Sequence, residues 1–381
     1  MKNNDLLISQ PISRKQFMSI LVLATSGLIL PSFLTRCSSS NYIQISQNIR
    51  KRSYNKNNIN KQLEIIHNAS FAANGHNTQP WKFSISQNTI RLLPDFSRRL
   101  PVVDPDDREL FISLGCALEN LIIAAGNLGF MSEVQYFPNN EPNDCIRINL
   151  KPFTSNVDEN LHKAIPVRQS TRSEYDGNPV PKAKLRQLEK AKPKSNVYIQ
   201  LFTDNKDIKP LTELVMEGNI KQYDDDKFLE ELQTWIRFSD SEAIRTMDGL
   251  PGRCSGNPSV PRWFGKLFFN LTVNGENQAK TDQKKIRTSS GLALFISEKD
   301  DKQSWIETGR TFERFALLAT TLNIKNAHLN QAIEVPDVRK QLTEHLNLGS
   351  MKPQLLIRFG YAKPLPYSLR RPVDAIVTIE S

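Results

Sequence analysis

The chain has 381 residues, of which 39% are hydrophobic and 24% charged, and this composition is typical of a globular protein with one large domain or two moderate ones. The formal net charge is +10 at pH 7, but the basic residues are scattered among 40 acidic ones, which favours a solvated surface over a nucleic-acid interface. The cysteines are Cys37, Cys116, Cys145 and Cys254, without a CxxC pair or a His/Cys cluster at metal-ligand spacing, which argues against a disulfide framework and a metal site.

The first 37 residues have the layout of an export signal. Lys2, Arg14 and Lys15 precede the apolar run FMSILVLATSGLILPSFL. The segment ISRKQFMSI is similar to a twin-arginine signal, which would export a folded protein with its cofactor, and LTRC is similar to a lipoprotein cleavage box at Cys37. An uncleaved anchor is the alternative, because the 18-residue run just suffices to span a bilayer. These features predict an exported, periplasmic or membrane-anchored protein, or a cytoplasmic one if the signal is inactive.

Residues 38–58 are polar and aperiodic, which predicts a tether to the folded body. A first unit is expected over residues 59–164. Apolar residues recur at helical spacing from Ile59 to Ala69, and the helix is expected to stop at Asn74-Gly75. The segments WKFSI, TIRLLPD, SEVQYF and CIRINL predict strands, and the segment between the second and third predicts a core helix that is apolar on all faces.

A second unit is expected over residues 165–381, and part of it repeats a pattern of the first. The segment GCALENLIIAAGNLGF from Gly115 is echoed by GRTFERFALLATTLNI from Gly309, so that Glu119 matches Glu313 at the same offset of 194 residues. A period of this length indicates a duplicated domain rather than a solenoid. A chance likeness of two core helices is the alternative.

Residues 235–271 form an insertion rich in glycine, proline, arginine and aromatic residues. Because its periodicity is weak, we expect a lid or wrapping arm over a site. A disordered loop is the less favoured alternative, because Trp263, Phe264, Phe268 and Phe269 are expected to be buried.

Two arginine-containing segments are candidates for binding an anion. In VRQSTRSEYDG, Arg168 and Arg172 flank Ser170 and Thr171, which would suit a phosphate dianion, although an exposed ion-pairing surface has the same pattern. The segment PYSLRRPV adds two arginines near the C-terminus. No GxGxxG opens a strand-to-helix turn and no GxxxxGK[ST] or GxSxG occurs, which argues against a Rossmann site, a P-loop and a serine hydrolase.

In their chain order these segments resemble the nitroreductase family of flavin enzymes. The resemblance rests on ANGHNTQPWKF from Ala73, RQSTR from Arg168, TDQKKIRTSSGLALFIS from Thr281, LNQAIEVPD from Leu329, and LRRP from Leu369. It covers most of residues 59–378 and extends to the fused, two-unit branch that includes the mycobacterial Acg proteins, where HNTQPW and PVVDPDDRELFISLGCALENL recur nearly as written here.

The resemblance implies an α+β, nitroreductase-like fold in which two fused units form an intrachain pseudo-dimer around central helices and antiparallel or mixed sheets. The first unit lacks an RxSxR segment and the second lacks a QPW segment, so one composite FMN site per chain is expected. The implied cofactor-binding residues are Asn74, Gly75, His76, Asn77, Gln79, Arg168, Ser170, Arg172, Lys285, Glu334, Val335, Arg370 and Arg371. Backbone N–H groups of Glu334 and Val335 are expected to face flavin N5.

The implied function is that of an FMN-dependent oxidoreductase, which transfers hydride from NAD(P)H through flavin N5 to a nitroaromatic, a quinone or a similar small-molecule acceptor. No protein acid or base is strictly required for such chemistry. The alternatives are a flavin-binding or flavin-sequestering protein with a lidded site and a structural lipoprotein with a vestigial fold. The protein is expected to be a monomeric pseudo-dimer or a homodimer, with a possible membrane tether and no nucleic-acid partner.

Overall fold

The computed structural model describes residues 32–52, 58–139, 142, 144–153, 158–193 and 195–380. Most of the predicted export signal therefore lies outside the described residues, and so does the side chain of Cys37. The α-helices of the described part are α1 (Ser32–Lys51), α2 (Asn58–Ala69), α3 (Arg108–Asn127), α4 (Glu159–Ala164), α5 (Lys182–Glu189), α6 (Asn205–Tyr223), α7 (Asp226–Trp235), α8 (Asp240–Thr246), α9 (Arg262–Thr272), α10 (Gly275–Arg287), α11 (Lys302–Thr321), α12 (Gln331–Glu334) and α13 (Pro336–His345).

The strands build two main sheets and one small one. They are β1 (Trp81–Ser86), β2 (Thr89–Pro94), β3 (Phe130–Tyr136), β4 (Ile146–Pro152), β5 (Val197–Phe202), β6 (Ile236–Arg237), β7 (Leu250–Pro251), β8 (Gly291–Ser297), β9 (Lys325–His328), β10 (Lys352–Gly360) and β11 (Val377–Ile379). The first sheet has the order β11-β1-β2-β4-β3, the second has the order β5-β8-β10-β9, and β6 pairs with β7. The four strands predicted in the first unit are confirmed.

The two main sheets follow the predicted division into two units, with one exception. The first sheet is mixed, because β11 pairs parallel to β1 while its other pairs are antiparallel. The second sheet is antiparallel throughout. The sequence assigned the C-terminus to the second unit, but β11 completes the first sheet, with Phe83 opposite Val377. The chain therefore returns to its first unit at the end, and the two units share one hydrophobic core.

Helices α3 and α11 cross at the centre of this core. A Cβ atom on Gly115 would lie 2.0 Å from the carbonyl oxygen of Ile306, and one on Gly309 would lie 1.9 Å from that of Ile112. The two contacts are equivalent under the 194-residue offset of the sequence repeat, as expected for related units around a pseudo-twofold axis. Only glycine allows backbones to approach this closely. The repeated glycines therefore mark the seam between the units.

Helix α3 is also long and apolar enough to span a membrane, but 83% of its most apolar 18-residue stretch is buried inside the protein. Phe111 and Leu114 are completely buried and belong to the central hydrophobic cluster. An all-round apolar helix of this kind is expected in the middle of a core.

The predicted tether at residues 38–58 is wrong over its first part, because residues 38–51 belong to α1. Tyr42 is fully buried and packs with Cys254 and Leu369. The Arg50 guanidinium donates through Nη1 to the carbonyl oxygen of Pro166, at 2.8 Å. Ile43, Ile45 and Ile49 of the same helix pack beside them, so α1 is docked on segments far away in the chain.

Replacement of Tyr42 by phenylalanine is expected to lower the free energy of unfolding by about 1 kcal/mol, because the hydroxyl donates to the carbonyl oxygen of Tyr367 at 2.8 Å and that oxygen would lose its partner. Urea unfolding followed by circular dichroism measures the change. The Tyr198→Phe variant is the control, since that hydroxyl bonds Glu298 on the surface and its loss should have little effect. Equal stability of Tyr42→Phe and the wild type would contradict the docking of α1.

The insertion at residues 235–271, called the lid segment below, is more regular than predicted. It contains β6, α8, β7, a 3₁₀ turn at Gly252–Ser255, and most of α9. Phe269 is buried at 8% exposure, but Trp263 is 70% exposed, so the expectation that all its aromatic residues are buried is wrong. The helix α9 is amphipathic, and only one face packs on the protein.

Candidate functional site

One cavity of about 700 Å³ lies between the two predicted units. The first unit contributes Asn74, Gly75 and His76, and the second contributes Arg172 and Lys285. Its volume falls in the range usual for small-molecule and cofactor sites. Glu334 of the second unit also lines it, so the structure brings together six of the predicted site residues from the two units.

The loop after α2 presents its first residues to this cavity because its backbone is held in an uncommon conformation. His76, Asn77 and Gln79 have positive φ angles of 47°, 55° and 54°. Such left-handed conformations in non-glycine residues persist only where the surroundings enforce them, and they cluster at functional sites. Asn74 Oδ1 accepts the N–H of Gln79 at 2.8 Å, which closes the loop.

Asn77 and Gln79 do not line the cavity, contrary to prediction. Asn77 donates through Nδ2 to the carbonyl oxygen of Gly249 at 2.9 Å, and Gln79 donates through Nε2 to that of Met247 at 2.9 Å. Gln79 also accepts the N–H of Arg371 at 2.8 Å through its side-chain oxygen and is fully buried. Both amides fasten the loop to the lid segment and to the C-terminal segment.

Three cations stand at one side of the cavity: Arg172, Lys285 and Arg358. Within the described residues, the Arg172 guanidinium has no hydrogen-bond or ion-pair partner, and burial lowers its pKa. Arg358 donates through Nη2 to the carbonyl oxygens of Thr171 and Ser173, while its buried Nη1 has no partner. Lys285 Nζ lies 3.4 Å from Asp282 Oδ1. This side retains unused donors for an anion.

The remaining predicted anion ligands are committed to the protein itself. Arg168 Nε lies 3.0 Å from Glu313 Oε1, and its Nη2 donates to the carbonyl oxygen of Phe71 at 2.7 Å. Arg370 donates to Asn77 Oδ1, to Ser368 Oγ and to four backbone carbonyl oxygens, which uses all its N–H groups. The prediction that both bind phosphate is therefore wrong for this structure. Both guanidinium groups donate to backbone carbonyl oxygens in the core, and Arg168 also pairs with the Glu313 carboxylate.

Arg371 and Ser170 also lie away from the cavity lining. The Arg371 guanidinium donates through Nη2 to the carbonyl oxygen of Ala375 at 3.0 Å and lies near Asp95. Ser170 forms an isolated parallel bridge with Asn326, at the edge of the second sheet. Both residues serve the scaffold in this arrangement.

The loop from Leu329 contributes differently from the prediction. The N–H groups of Glu334 and Val335 bond the carbonyl oxygens of Asn330 and Gln331 at 2.8 and 3.3 Å, so neither is free to face a ligand. Val335 packs in a hydrophobic cluster away from the cavity. It is instead the Glu334 side chain that lines the cavity, beside Glu109 from the first turn of α3.

Two imidazoles face the cavity with unused nitrogen atoms. Nδ1 of His76 and Nδ1 of His328 are buried without a hydrogen-bond partner. Burial lowers the pKa of each ring to about 4, with Arg172 adding to the effect and Glu109 opposing it. Both rings are therefore neutral at pH 7 and can each donate or accept one hydrogen bond. Together with the unpartnered Gln331 Oε1 and Arg358 Nη1, they supply donors and acceptors suited to the edge of a polar ring system.

The lid segment walls the cavity through Ile236, Leu250, Gly252, Ser255 and Asn257. The side chain of Phe269 on α9 adds an apolar surface to the same wall. Hydrogen bonds of Gly249 to the 74–79 loop hold this wall in place. The lid segment therefore forms one wall of the cavity, and its action as a lid stays a prediction.

Sequence reasoning missed Glu109, His328 and Arg358 as lining residues. His328 immediately precedes the LNQAIEVPD segment and Glu109 lies in the DDRELF segment, so both were close to recognised motifs. Arg358 sits in the strand β10 with an apolar burial pattern, where an arginine is unusual. A charged residue in such a strand is the signal that could have identified it.

Comparisons with known proteins give relatives of one kind. No family model matches the chain. A protein of Mycobacterium tuberculosis strain H37Rv, provisionally named NAD(P)H nitroreductase Rv3131, is 26% identical over 314 residues, which cover 79% of this chain and 86% of that protein. The protein acg of the same strain, provisionally named an NAD(P)H nitroreductase, is 23% identical over 315 residues, covering 80% and 92%.

Two nitroreductases are among the solved structures to which the chain is similar. One is a nitroreductase with bound FMN from Bacteroides fragilis, with 17% identity, a TM-score of 0.32 and coverage of 53% of this chain and 88% of that chain. Another is the FMN-dependent nitroreductase NfnB from Mycobacterium smegmatis in complex with NADPH, with 12% identity, a TM-score of 0.38 and coverage of 58% and 99%.

Proposed function

We propose that this chain is an FMN-dependent oxidoreductase of the nitroreductase type, which transfers hydride from NAD(P)H to a nitroaromatic, a quinone or a similar small acceptor. The observation that carries the proposal is the cavity of about 700 Å³ between the units, to which the 74–76 loop and the Arg172 side each contribute. The names of the relatives support the same reaction class and the same donor. FMN when bound would supply the two-electron chemistry, which no protein group of this chain provides.

The described residues fit such a cofactor by their chemistry. Arg172, Arg358 and Lys285 would hold its phosphate, with the unpartnered guanidinium donors as the main contacts. The neutral rings of His76 and His328 and the amide of Asn74 would bond the polar edge of the ring system. The lid segment would exclude water from the reacting face, which strengthens each of these interactions.

The absorbance spectrum of the purified chain and stopped-flow mixing with NADPH test this function. A yellow protein that is bleached within seconds supports the enzyme. A yellow protein whose oxidised spectrum persists supports the second candidate, a flavin-binding or sequestering protein, which is favoured by the lid segment walling the cavity through Ile236 and Leu250. A colourless protein that fails to bind added FMN contradicts both.

Replacement of Arg172 by alanine is expected to weaken FMN binding by about 1.5–3 kcal/mol, which corresponds to about a 10- to 100-fold higher Kd. The reason is the loss of a charge-assisted contact to the phosphate by a guanidinium that has no partner among the described residues. Quenching of flavin fluorescence on titration with the cofactor-free protein measures the Kd. The Arg371→Ala variant is the control and should bind FMN as the wild type does. A higher Kd in Arg371→Ala than in Arg172→Ala would place the phosphate site at the C-terminal arginines.

The cellular location and the oligomeric state are also proposed. We propose an exported or membrane-anchored protein on the basis of the apolar run from Phe17 to Leu34, and a monomer on the basis of the composite site within one chain. Fractionation of cells that express the full chain, and light scattering of the purified protein, test the two statements.

A further inference from the structure

Two partly buried carboxyl groups lie in the wall of the cavity, one from each unit. Glu109 lies in the first turn of α3 and Glu334 at the end of α12, and the two carboxyl groups are close enough to interact. Asn330 donates through Nδ2 to Glu109 Oε1 at 3.0 Å, and Gln222 donates through Nε2 to Glu334 Oε2 at 2.6 Å. Arg108 donates through Nη2 to Glu109 Oε1 at 3.2 Å. Because Arg108 stabilises a negative charge on Glu109, a proton held by the two carboxyl groups is favoured on Glu334.

The pair also faces a second space. A separate groove of about 490 Å³ is lined by Asp104, Arg108 and Glu334, so that Glu334 borders both the cavity and the groove. Asp104 accepts the N–H groups of Glu109 and Leu110 at 3.0 Å each. Asp104 therefore lies at the start of α3, on the groove side of Glu109.

Burial favours the protonated forms of Glu334 and Asp104. Burial raises the pKa of Glu334 well above its usual range, and the neighbouring Glu109 raises it further, while Gln222 and Arg108 oppose the shift. Burial, with Glu109, raises the pKa of Asp104 to about 7, against the opposing effect of Arg108. On the cavity side, the other titratable or charged groups are His76, Cys116, Arg172, Glu174, Tyr223, Asp282, Lys285, His328 and Arg358. On the groove side they are Asp106, Arg108, Asp300, Arg339, Lys340, Glu344 and Lys352.

We propose that the Glu109–Glu334 pair donates the proton that accompanies hydride transfer to the acceptor, and that the Asp104 groove resupplies it. The inference rests on the proposed function. A quinone that accepts one hydride, originating from NAD(P)H, needs one proton to become a hydroquinone. The carboxyl O–H bond breaks, an O–H bond to the quinone oxygen forms, and the carboxylate left behind takes a proton from water in the groove. Reduction of a nitro group to a nitroso group and water uses the same hydride and the same proton.

The test compares two kinds of acceptor in three variants. In Glu334→Gln and Glu109→Gln, quinone reduction is expected to fall by about 10²- to 10⁴-fold, the usual contribution of a positioned acid, whereas reduction of ferricyanide, which takes electrons without protons, should be unchanged. The Glu174→Gln variant is the matched control, because Glu174 lines the same cavity but forms an exposed ion pair with Lys284. An equal fall with both acceptors would overturn the proposal.

The pH dependence has a definite sign. Because the donor is the protonated pair, quinone reduction by the wild type should be fastest at low pH and decline as the pH rises through the raised pKa of the pair. In Glu334→Gln this decline of the quinone reduction rate with rising pH should disappear. The pH dependence of ferricyanide reduction should be the same as in the wild type. A limb that persists unchanged in that variant also overturns the proposal.

A second readout does not depend on flavin or turnover. The infrared spectrum of the cofactor-free chain at neutral pH should contain C=O stretch bands of protonated carboxyl groups, and their intensity should fall in Glu334→Gln and be unchanged in Glu174→Gln. An unchanged band in Glu334→Gln would overturn the shared proton. If FMN fails to bind, the proposed function fails, while the infrared band still decides whether the pair holds a proton.

Discussion

Replacement of Glu313 by glutamine is expected to lower the free energy of unfolding by about 3–5 kcal/mol, the usual cost of removing one partner from a buried ion pair. Glu313 is completely buried, with Oε1 at 3.0 Å from Arg168 Nε and Oε2 accepting the N–H of Ala73 at 3.2 Å. Burial raises the pKa of Glu313, and Arg168 opposes that rise, so the charge of the carboxyl group depends on the arginine beside it.

The effect should be large because Glu313 lies beside a cluster of arginines. Burial, with Arg168, lowers the pKa of Arg50 to about 10, and burial, with Arg50 and Arg168, lowers that of Arg370 well below its usual range. Within the described residues, Glu313 is the acid that ion-pairs with this cluster. Without it, the guanidinium groups would retain only uncharged partners against their mutual repulsion.

Urea unfolding followed by circular dichroism measures this change. The control is Glu344→Gln, which removes an exposed carboxylate 3.9 Å from Lys340 and should change stability by less than about 1 kcal/mol. If Glu313→Gln and Glu344→Gln were equally stable, the arginine cluster would not depend on its carboxylate.

Replacement of Gly115 or Gly309 by alanine should destabilise the protein by about 3 kcal/mol, at the upper end of overpacking effects, because the obstacle is backbone rather than a movable side chain. The added methyl group would lie 2.0 Å from the carbonyl oxygen of Ile306 in the first case and 1.9 Å from that of Ile112 in the second. Real Cβ atoms do not approach other atoms this closely, so α3 and α11 would have to separate.

The double variant distinguishes a shared seam from two local clashes. Both substitutions force the same two helices apart, so the second should cost less in the presence of the first, and the two effects should not add. The control is Gly252→Ala, where the nearest atom to the new methyl group is 3.5 Å away. Thermal unfolding measures all four variants, and full additivity would contradict a single crossing point.

The sequence by itself determined the parts of this protein that depend on local pattern. Alternation predicted β1 to β4, all-round apolarity predicted the core helix α3, and the repeat at Gly115 and Gly309 predicted two related units. These features follow from the period of a strand or helix and from the need to bury an apolar face, both of which act within one segment. The resemblance to the nitroreductase family predicted that Asn74 and Arg172 lie at one composite site.

The tertiary structure alone decided what the charged residues do. Arg168, Arg172 and Arg370 look alike in the sequence, but Arg370 bonds carbonyls about 300 residues away, Arg168 meets Glu313, and Arg172 is left facing the cavity. The helix α1 and the return of β11 to the first sheet likewise depend on distant partners. A guanidinium group binds whichever carbonyl, carboxylate or ligand the fold brings to it, and that choice is made by contacts between segments far apart in the chain.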